Sequence, residues 1–165
     1  MSTSSDERIA GEIAAAGAWV SATDRVRWGD VDLAGIVRYD AFARFYDLGE
    51  ATLLRAAGHP LRESIERAGM LLPRRAFHAE FVAPARLDDA LEVRTSVSRL
   101  GTTSFTYHHE IRHAAGAPCA VAELTVVCVD RRALGKQPLP SEFVEALRPY
   151  LIPRDPAGRD VVTGR

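Results

Sequence analysis

A chain of 165 residues with 47% hydrophobic side chains is long and apolar enough for one domain with a real core, which excludes a disordered chain. Its 21 basic and 22 acidic residues leave a formal net charge of -1, so it lacks the domain-wide basic excess that nucleic-acid binding needs. No stretch approaches the ~18 apolar residues of a membrane span, Asp6, Glu7 and Glu12 do not suit a secretion signal, and two cysteines are too few for a disulfide framework. A cytoplasmic protein with buried free thiols at Cys119 and Cys128 is expected.

Residues 1–21 read as a flexible N-terminal segment, 22–150 as the folded domain and 151–165 as a C-terminal tail. Val26 and Trp28 alternate with Arg25 and Arg27 as in a strand, which Gly29-Asp30 ends. Phe42, Phe45, Tyr46, Gly49, Leu53 and Ala56 then recur at spacings of three and four, forming one apolar stripe on a long helix. Asp40 is placed as its N-cap and Gly58 as its stop, with a short second helix over Leu61 to Ala68.

Met70 to Ala83 reads as one extended strand that ends at a corner made by Pro84 and Asp88-Asp89. Leu91, Val93, Thr95 and Val97 alternate with Glu92, Arg94 and Ser96 in a half-buried strand. Gly101 turns the chain into a return strand over Ser104 to His113, and Gly116 turns it again into Cys119 to Val129. A short closing helix covers Glu142 to Leu147. One long helix followed by successive antiparallel strands is an α+β plan, with the helix stripe buried on one face of the sheet.

His109-Glu110-Ile111-Arg112-His113 matches the zinc-protease spacing His-Glu-x-x-His. On a helix the two imidazoles would share a face and reach one zinc. On a strand they lie about 13 Å apart, too far for one ion. Phe105, Tyr107, His109 and Ile111 alternate with Thr106, His108, Glu110 and Arg112, the period of a strand. No metal site is expected, and these histidines are assigned to a strand edge or a subunit surface. No Gly-x-Ser-x-Gly elbow, phosphate loop or dinucleotide fingerprint occurs.

The connection between the first strand and the long helix carries Asp30, Asp32 and Gly35, and the helix N-terminus behind it can hold a carbonyl oxygen or an anion on free N–H groups. Taken alone, Gly-Asp-x-Asp is ordinary turn composition. The fuller string Gly29-Asp30-Val31-Asp32-Leu33-Ala34-Gly35-Ile36-Val37-Arg38-Tyr39, with Phe42 and Arg44-Phe45-Tyr46-Asp47, resembles the opening signature of hotdog-fold acyl-CoA thioesterases of the 4-hydroxybenzoyl-CoA thioesterase type. Phe81 to Asp89 and Val126 to Asp130 resemble that family's corner and last strand.

The resemblance implies an antiparallel sheet wrapped around one long central helix, with subunits paired as a homodimer or homotetramer to build the sites between them. It implies hydrolysis of an aryl- or short acyl-CoA, with no cofactor. Asp32 stands at the catalytic aspartate's place, as nucleophile or as general base, and Tyr39 supplies an oxyanion N–H. Asp30 holds the turn, Gly35 allows close approach of substrate, and Ile36, Val37 and Arg38 line the substrate side. Arg99, Thr102, Thr103 and Ser104 fall where the family grips the CoA tail, and Arg131-Arg132 is a second candidate. Threonines replace the family's basic residues there, so release from an acyl carrier protein stays open beside CoA, as does a non-catalytic acyl-CoA-binding role. A hydratase is disfavoured because no histidine precedes His59.

Overall fold

The apolar stripe of the helix and the alternating strands meet face to face in the computed structural model, which describes residues 18–114 and 116–152. The elements run β1 (Val20–Arg25), α1 (Phe42–Ala56), α2 (Leu61–Ala68), β2 (Met70–Leu71), β3 (Arg74–Phe81), β4 (Ala90–Leu100), β5 (Ser104–His113), β6 (Pro118–Val127), β7 (Val129–Asp130) and α3 (Ser141–Leu147). Five of the strands form an antiparallel sheet in the order β1-β4-β5-β6-β3, and α1 lies across one face of it. This is the expected hotdog arrangement. The expected flexible segment falls largely on residues 1–17, and most of the expected tail on 153–165; both lie outside the described residues.

Two apolar clusters flank the midpoint of α1. Towards its start, Phe42, Phe45 and Tyr46 pack on Val26, Leu91, Val93, Ile111 and Ala120. Towards its end, Leu53 and Leu54 pack with Val97, Phe105 and Tyr107 and with Phe143 and Leu147 of α3. Gly49 sits between the clusters. A Cβ there would lie 2.1 Å from Thr95 Oγ1 and 3.1 Å from His109 Nδ1, so the helix rests directly on β4 and β5.

Several elements differ from expectation. Trp28 is not on a strand: β1 ends at Arg25, and Trp28–Asp30 forms a 3-10 turn that leaves the indole 81% exposed. Asp40 does not cap α1. It lies within a 3-10 turn over Tyr39–Ala41, and its carboxylate is taken by Arg38, at 3.0 and 3.1 Å. The expected strand from Met70 to Ala83 is broken around Pro73, and the one from Cys119 to Val129 is broken at Cys128. The separated ends, β2 and β7, pair as a two-stranded ribbon of their own.

The histidine assignment is also corrected. His108 and His109 lie on β5, the middle strand of the sheet, and are 4% and 0% exposed. His109 faces α1, with Nδ1 3.0 Å from Thr95 Oγ1. Burial, with His108 adding to it, pushes its pKa down to about 3, so the ring is neutral and acts as a core side chain. The cysteines are free and buried, as expected.

Replacing Gly49 by Ala should destabilise the fold by about 3 kcal/mol, at the upper end of the overpacking range, because Thr95 cannot retreat from a packed interior. Chemical denaturation of Gly49→Ala measures this; a loss below half a kcal/mol would show that the helix stands further off the sheet.

Candidate active site

The acidic connection is a closed loop. Val31 and Val37 bridge its two sides, and the Asp32 N–H donates to the Ile36 carbonyl at 3.0 Å. Gly35 turns the tip with φ 73, a conformation glycine adopts without steric penalty. Its N–H donates to the Asp32 carbonyl at 2.9 Å, and the Ala34 N–H donates to Asp32 Oδ1 at 2.8 Å. One carboxylate oxygen of Asp32 therefore orders the tip. The other has no partner among the described residues, and the side chain is exposed.

Asp30 has the opposite environment. It is 6% exposed, and Oδ2 accepts the Arg27 N–H at 2.7 Å. Arg44, from the first turn of α1, donates to both its oxygens, with Nε 2.8 Å from Oδ1. Arg44 also reaches Asp24 Oδ2 at 2.6 Å and the Arg25 carbonyl at 2.7 Å. Hydrogen bonding to Arg44 holds the Asp30 carboxyl below the usual carboxylate range, against the opposing effect of burial. Its main-chain carbonyl accepts the Arg38 N–H at 2.9 Å. A single residue thus braces the strand that leads to Asp32 and the backbone that leads to Tyr39.

Tyr39 opens the 3-10 turn before α1, and its N–H makes no hydrogen bond among the described residues. Unused N–H groups at such a start are what an oxyanion needs. Its ring is 79% exposed, as are Trp28 and Leu33 to 81% and 110%. Ile36 is half-buried and bridged to Arg86. Val37 is buried, with its N–H on the Ala85 carbonyl at 2.8 Å. Arg38 is half-buried, with Nη1 2.8 Å from the Gly29 carbonyl. Sequence reasoning missed Arg44 as a member of this group; an arginine four residues after an acid in a helical start gives no sign of reaching back across the chain.

Arg99, Thr102, Thr103 and Ser104 are not beside this loop. They cluster at the β4–β5 hairpin, with Arg99 near the end of β4, Ser104 at the start of β5 and the turn closed by the Gly101 N–H on the Ser104 carbonyl at 2.9 Å. The acidic loop instead meets residues 85–89, just before β4 begins. The whole of β4 separates the two, about 30 Å at ~3.3 Å per residue. Next to the hairpin runs the loop with Arg131 and Arg132, since the Cys128 N–H donates to the Thr103 carbonyl and the Leu139 N–H to that of Thr102, both at 2.8 Å.

Arg44→Ala should cost about 2 kcal/mol of stability at neutral pH, because Asp30 is left buried without its cation. The sign with pH follows from the depressed Asp30 pKa: the increment is full above about pH 4 and is lost as pH falls through the lowered value. Denaturation measured from pH 7 downward should show the full wild-type advantage at neutral pH and a progressive decline once the pH falls below about 4.

The profile of the thioesterase-like superfamily matches residues 26–147. An acyl-CoA thioester hydrolase of Escherichia coli, YbgC, is 31% identical over 120 residues, covering 73% of this chain and 89% of that protein. A 1,4-dihydroxy-2-naphthoyl-CoA hydrolase of Synechococcus elongatus is 26% identical over 126 residues, covering 74% of this chain and 90% of the relative. Among solved structures, a 1,4-dihydroxy-2-naphthoyl-CoA thioesterase from Synechocystis superposes with a TM-score of 0.72 at 25% identity, over 78% of this chain and 95% of that one. The matched span holds the acidic loop, α1 and four strands of the sheet, β3 to β6, and the chain belongs to the thioesterase-like superfamily.

Proposed function

We propose that the protein hydrolyses an aryl- or short acyl-CoA thioester to the free acid and CoA, with Asp32 as the catalytic carboxylate. The observation that carries this is the contrast between two acids two residues apart. Asp30 is buried and fully engaged by Arg44 and Arg27, whereas Asp32 is exposed with one oxygen uncommitted, in the loop that leads into the 3-10 turn before α1. Two routes fit this carboxylate. It attacks the thioester carbonyl, forming a mixed anhydride and expelling the CoA thiolate, and water then cleaves the anhydride. Alternatively it takes a proton from a water that attacks the carbonyl directly. In either route the carbonyl oxygen gains negative charge, and the uncommitted Tyr39 N–H is the donor for it.

The exposed Trp28, Leu33 and Tyr39 suit an apolar acyl group, and relatives named for acyl-CoA and 1,4-dihydroxy-2-naphthoyl-CoA hydrolysis support thioester chemistry. Arg99 with Thr102, Thr103 and Ser104 grips the CoA tail in this reading. Because they stand about 30 Å from Asp32 along β4, a tail held there serves the Asp32 of another copy. Pairing also accounts for β3, an edge strand exposed along nearly its whole length with Phe77 at 54% and Phe81 at 48%. A cytoplasmic homodimer or homotetramer with its sites shared between subunits is the form we propose.

Asp32→Asn should fold as the wild type and lose about 10²–10⁴-fold in turnover. Thiol release is assayed on CoA, pantetheine and acyl-carrier-protein thioesters in parallel, which also identifies the thiol carrier. Near-normal turnover in Asp32→Asn would reject the assignment, and loss in Asp30→Asn without loss of stability would move it to Asp30. Sedimentation at assay concentration should give a dimer or a larger assembly; a fully active monomer would overturn the shared site.

A further inference from the structure

Two 3-10 turns bracket the acidic loop, Trp28–Asp30 before it and Tyr39–Ala41 after it. Arg38 ties one to the other. Its Nη1 donates to the Gly29 carbonyl at 2.8 Å, and its Nε and Nη2 donate to the two carboxylate oxygens of Asp40 at 3.0 and 3.1 Å. Its main-chain N–H donates to the Asp30 carbonyl at 2.9 Å, and its carbonyl accepts the Ala41 N–H at 3.1 Å. Side chain and backbone of one residue therefore reach both turns. Three of the five guanidinium donors are committed to the protein itself, which places Arg38 poorly for the substrate contact expected of it.

As a source of stability this contact is weak. The Arg38 and Asp40 side chains are 41% and 54% exposed, and ion pairs this open to water contribute little to folding. What the contact supplies is geometry, because a planar guanidinium meets a carboxylate through two hydrogen bonds of fixed direction. The Val31–Val37 bridge closes the neck of the loop, whereas the guanidinium reaches further out on each side, to Gly29 and to Asp40. Hydrogen bonding to Asp40, joined by the charges of Asp30 and Asp32, raises the Arg38 pKa, and Arg38 lowers that of Asp40. The pair therefore stays charged through the neutral range.

We propose that Arg38 is a positioning residue for the reaction at Asp32: by spanning the Gly29 carbonyl and Asp40 it sets the separation between the Asp32 carboxylate and the Tyr39 N–H, without touching the reacting atoms. The inference rests on the thioesterase reading above and deepens it. Attack on a thioester carbon and hydrogen bonding to its oxygen act on two atoms of one carbonyl group. The carboxylate and the N–H donor therefore have to keep a fixed relation while charge moves between them. Asp32 comes two residues after the first turn and Tyr39 opens the second, so the contact that joins the turns governs that relation. A lysine could not replace Arg38 here, since an ammonium is a point charge and cannot hold the Gly29 carbonyl and both Asp40 oxygens in one plane.

The test compares Arg38→Met, Arg38→Lys and Asp40→Asn with the wild type in steady-state hydrolysis of benzoyl-CoA and benzoyl-pantetheine, alongside thermal melting and amide spectra of the full chain. Arg38→Met should melt within about 2 °C of the wild type. Its kcat should fall about 10–100-fold on both thioesters while KM stays within about twofold, the signature of lost alignment rather than lost binding. Arg38→Lys should be as slow as Arg38→Met, and Asp40→Asn, which keeps one acceptor oxygen, should fall between them and the wild type. The Tyr39 and Ala34 amide signals should move in Arg38→Met while those of β5 stay in place, a readout that needs no turnover. A raised KM with kcat unchanged would make Arg38 a substrate contact, and full rescue by lysine would reduce its role to charge; either overturns the inference, as would unmoved Tyr39 and Ala34 signals. Normal kcat in Arg38→Met beside lost turnover in Asp32→Asn would reject this inference alone, whereas normal turnover in Asp32→Asn would remove the reading beneath it.

Discussion

Everything in this molecule is referred to one close approach, that of α1 to β4 and β5 at Gly49. With no side chain there, the helix backbone comes against Thr95 and the neutral ring of His109, and two apolar clusters close on either side. The position and direction of the helix follow. Its start is delivered to the end of the sheet where β1 finishes and β4 begins, which is where the acidic loop hangs. Thr95 Oγ1 and His109 Nδ1 share one hydrogen bond inside this contact, and burial holds the imidazole neutral.

A second interaction converts that placement into a site. Arg44 leaves the first turn of α1 and binds Asp30, Asp24 and the Arg25 carbonyl, joining the helix to the end of β1. Asp30 in turn holds the Arg27 and Arg38 N–H groups. The loop between those anchors is short, so Asp32 and the Tyr39 N–H inherit their positions from a buried charge pair that neither touches. The result is one acid that is neutralised and enclosed, Asp30, beside another that is exposed and half-committed, Asp32. The two environments push the groups towards different roles although the side chains are identical.

Much of the fold was legible because it rests on periodicity. The stripe from Phe42 to Leu53 and the alternation through β4 and β5 follow directly from which faces must be buried, and the alternation alone removed the zinc-protease reading of His109 and His113. What sequence could not supply were contacts between distant residues. Nothing near Arg44 announces Asp30, 14 residues earlier, and nothing near Glu50 announces its partner Arg74, which lies 24 residues away on another element. Trp28 misled for a related reason: it continued the strand alternation, but the turn bonds of Asp30 to Arg27 end the strand early and face the indole outward. His108 and His109 were placed at an edge because local pattern gives a strand its faces but not its rank within the sheet.

The rank of the strands also shapes how the candidate site is divided. β4 carries the acidic loop's neighbours at its start and the Arg99 to Ser104 turn at its end, so the two groups of candidate residues stand a strand's length apart within one chain. The loop's exposed Trp28, Leu33 and Tyr39, and the bare outer strand β3 with Phe77 and Phe81, are the apolar surfaces a second copy would cover. Phe81 packs on Phe42 with ring centroids 5.0 Å apart, and Phe77 on Tyr46 at 5.4 Å, which fixes the edge strand against the same helix that carries the loop. A second copy aligned on β3 would therefore be held in register with α1 rather than merely attached to a flexible rim. Rigidity of that kind is what a site divided between chains requires, since a misplacement of about 1 Å between a carboxylate and its carbonyl carbon already costs about a hundredfold in rate.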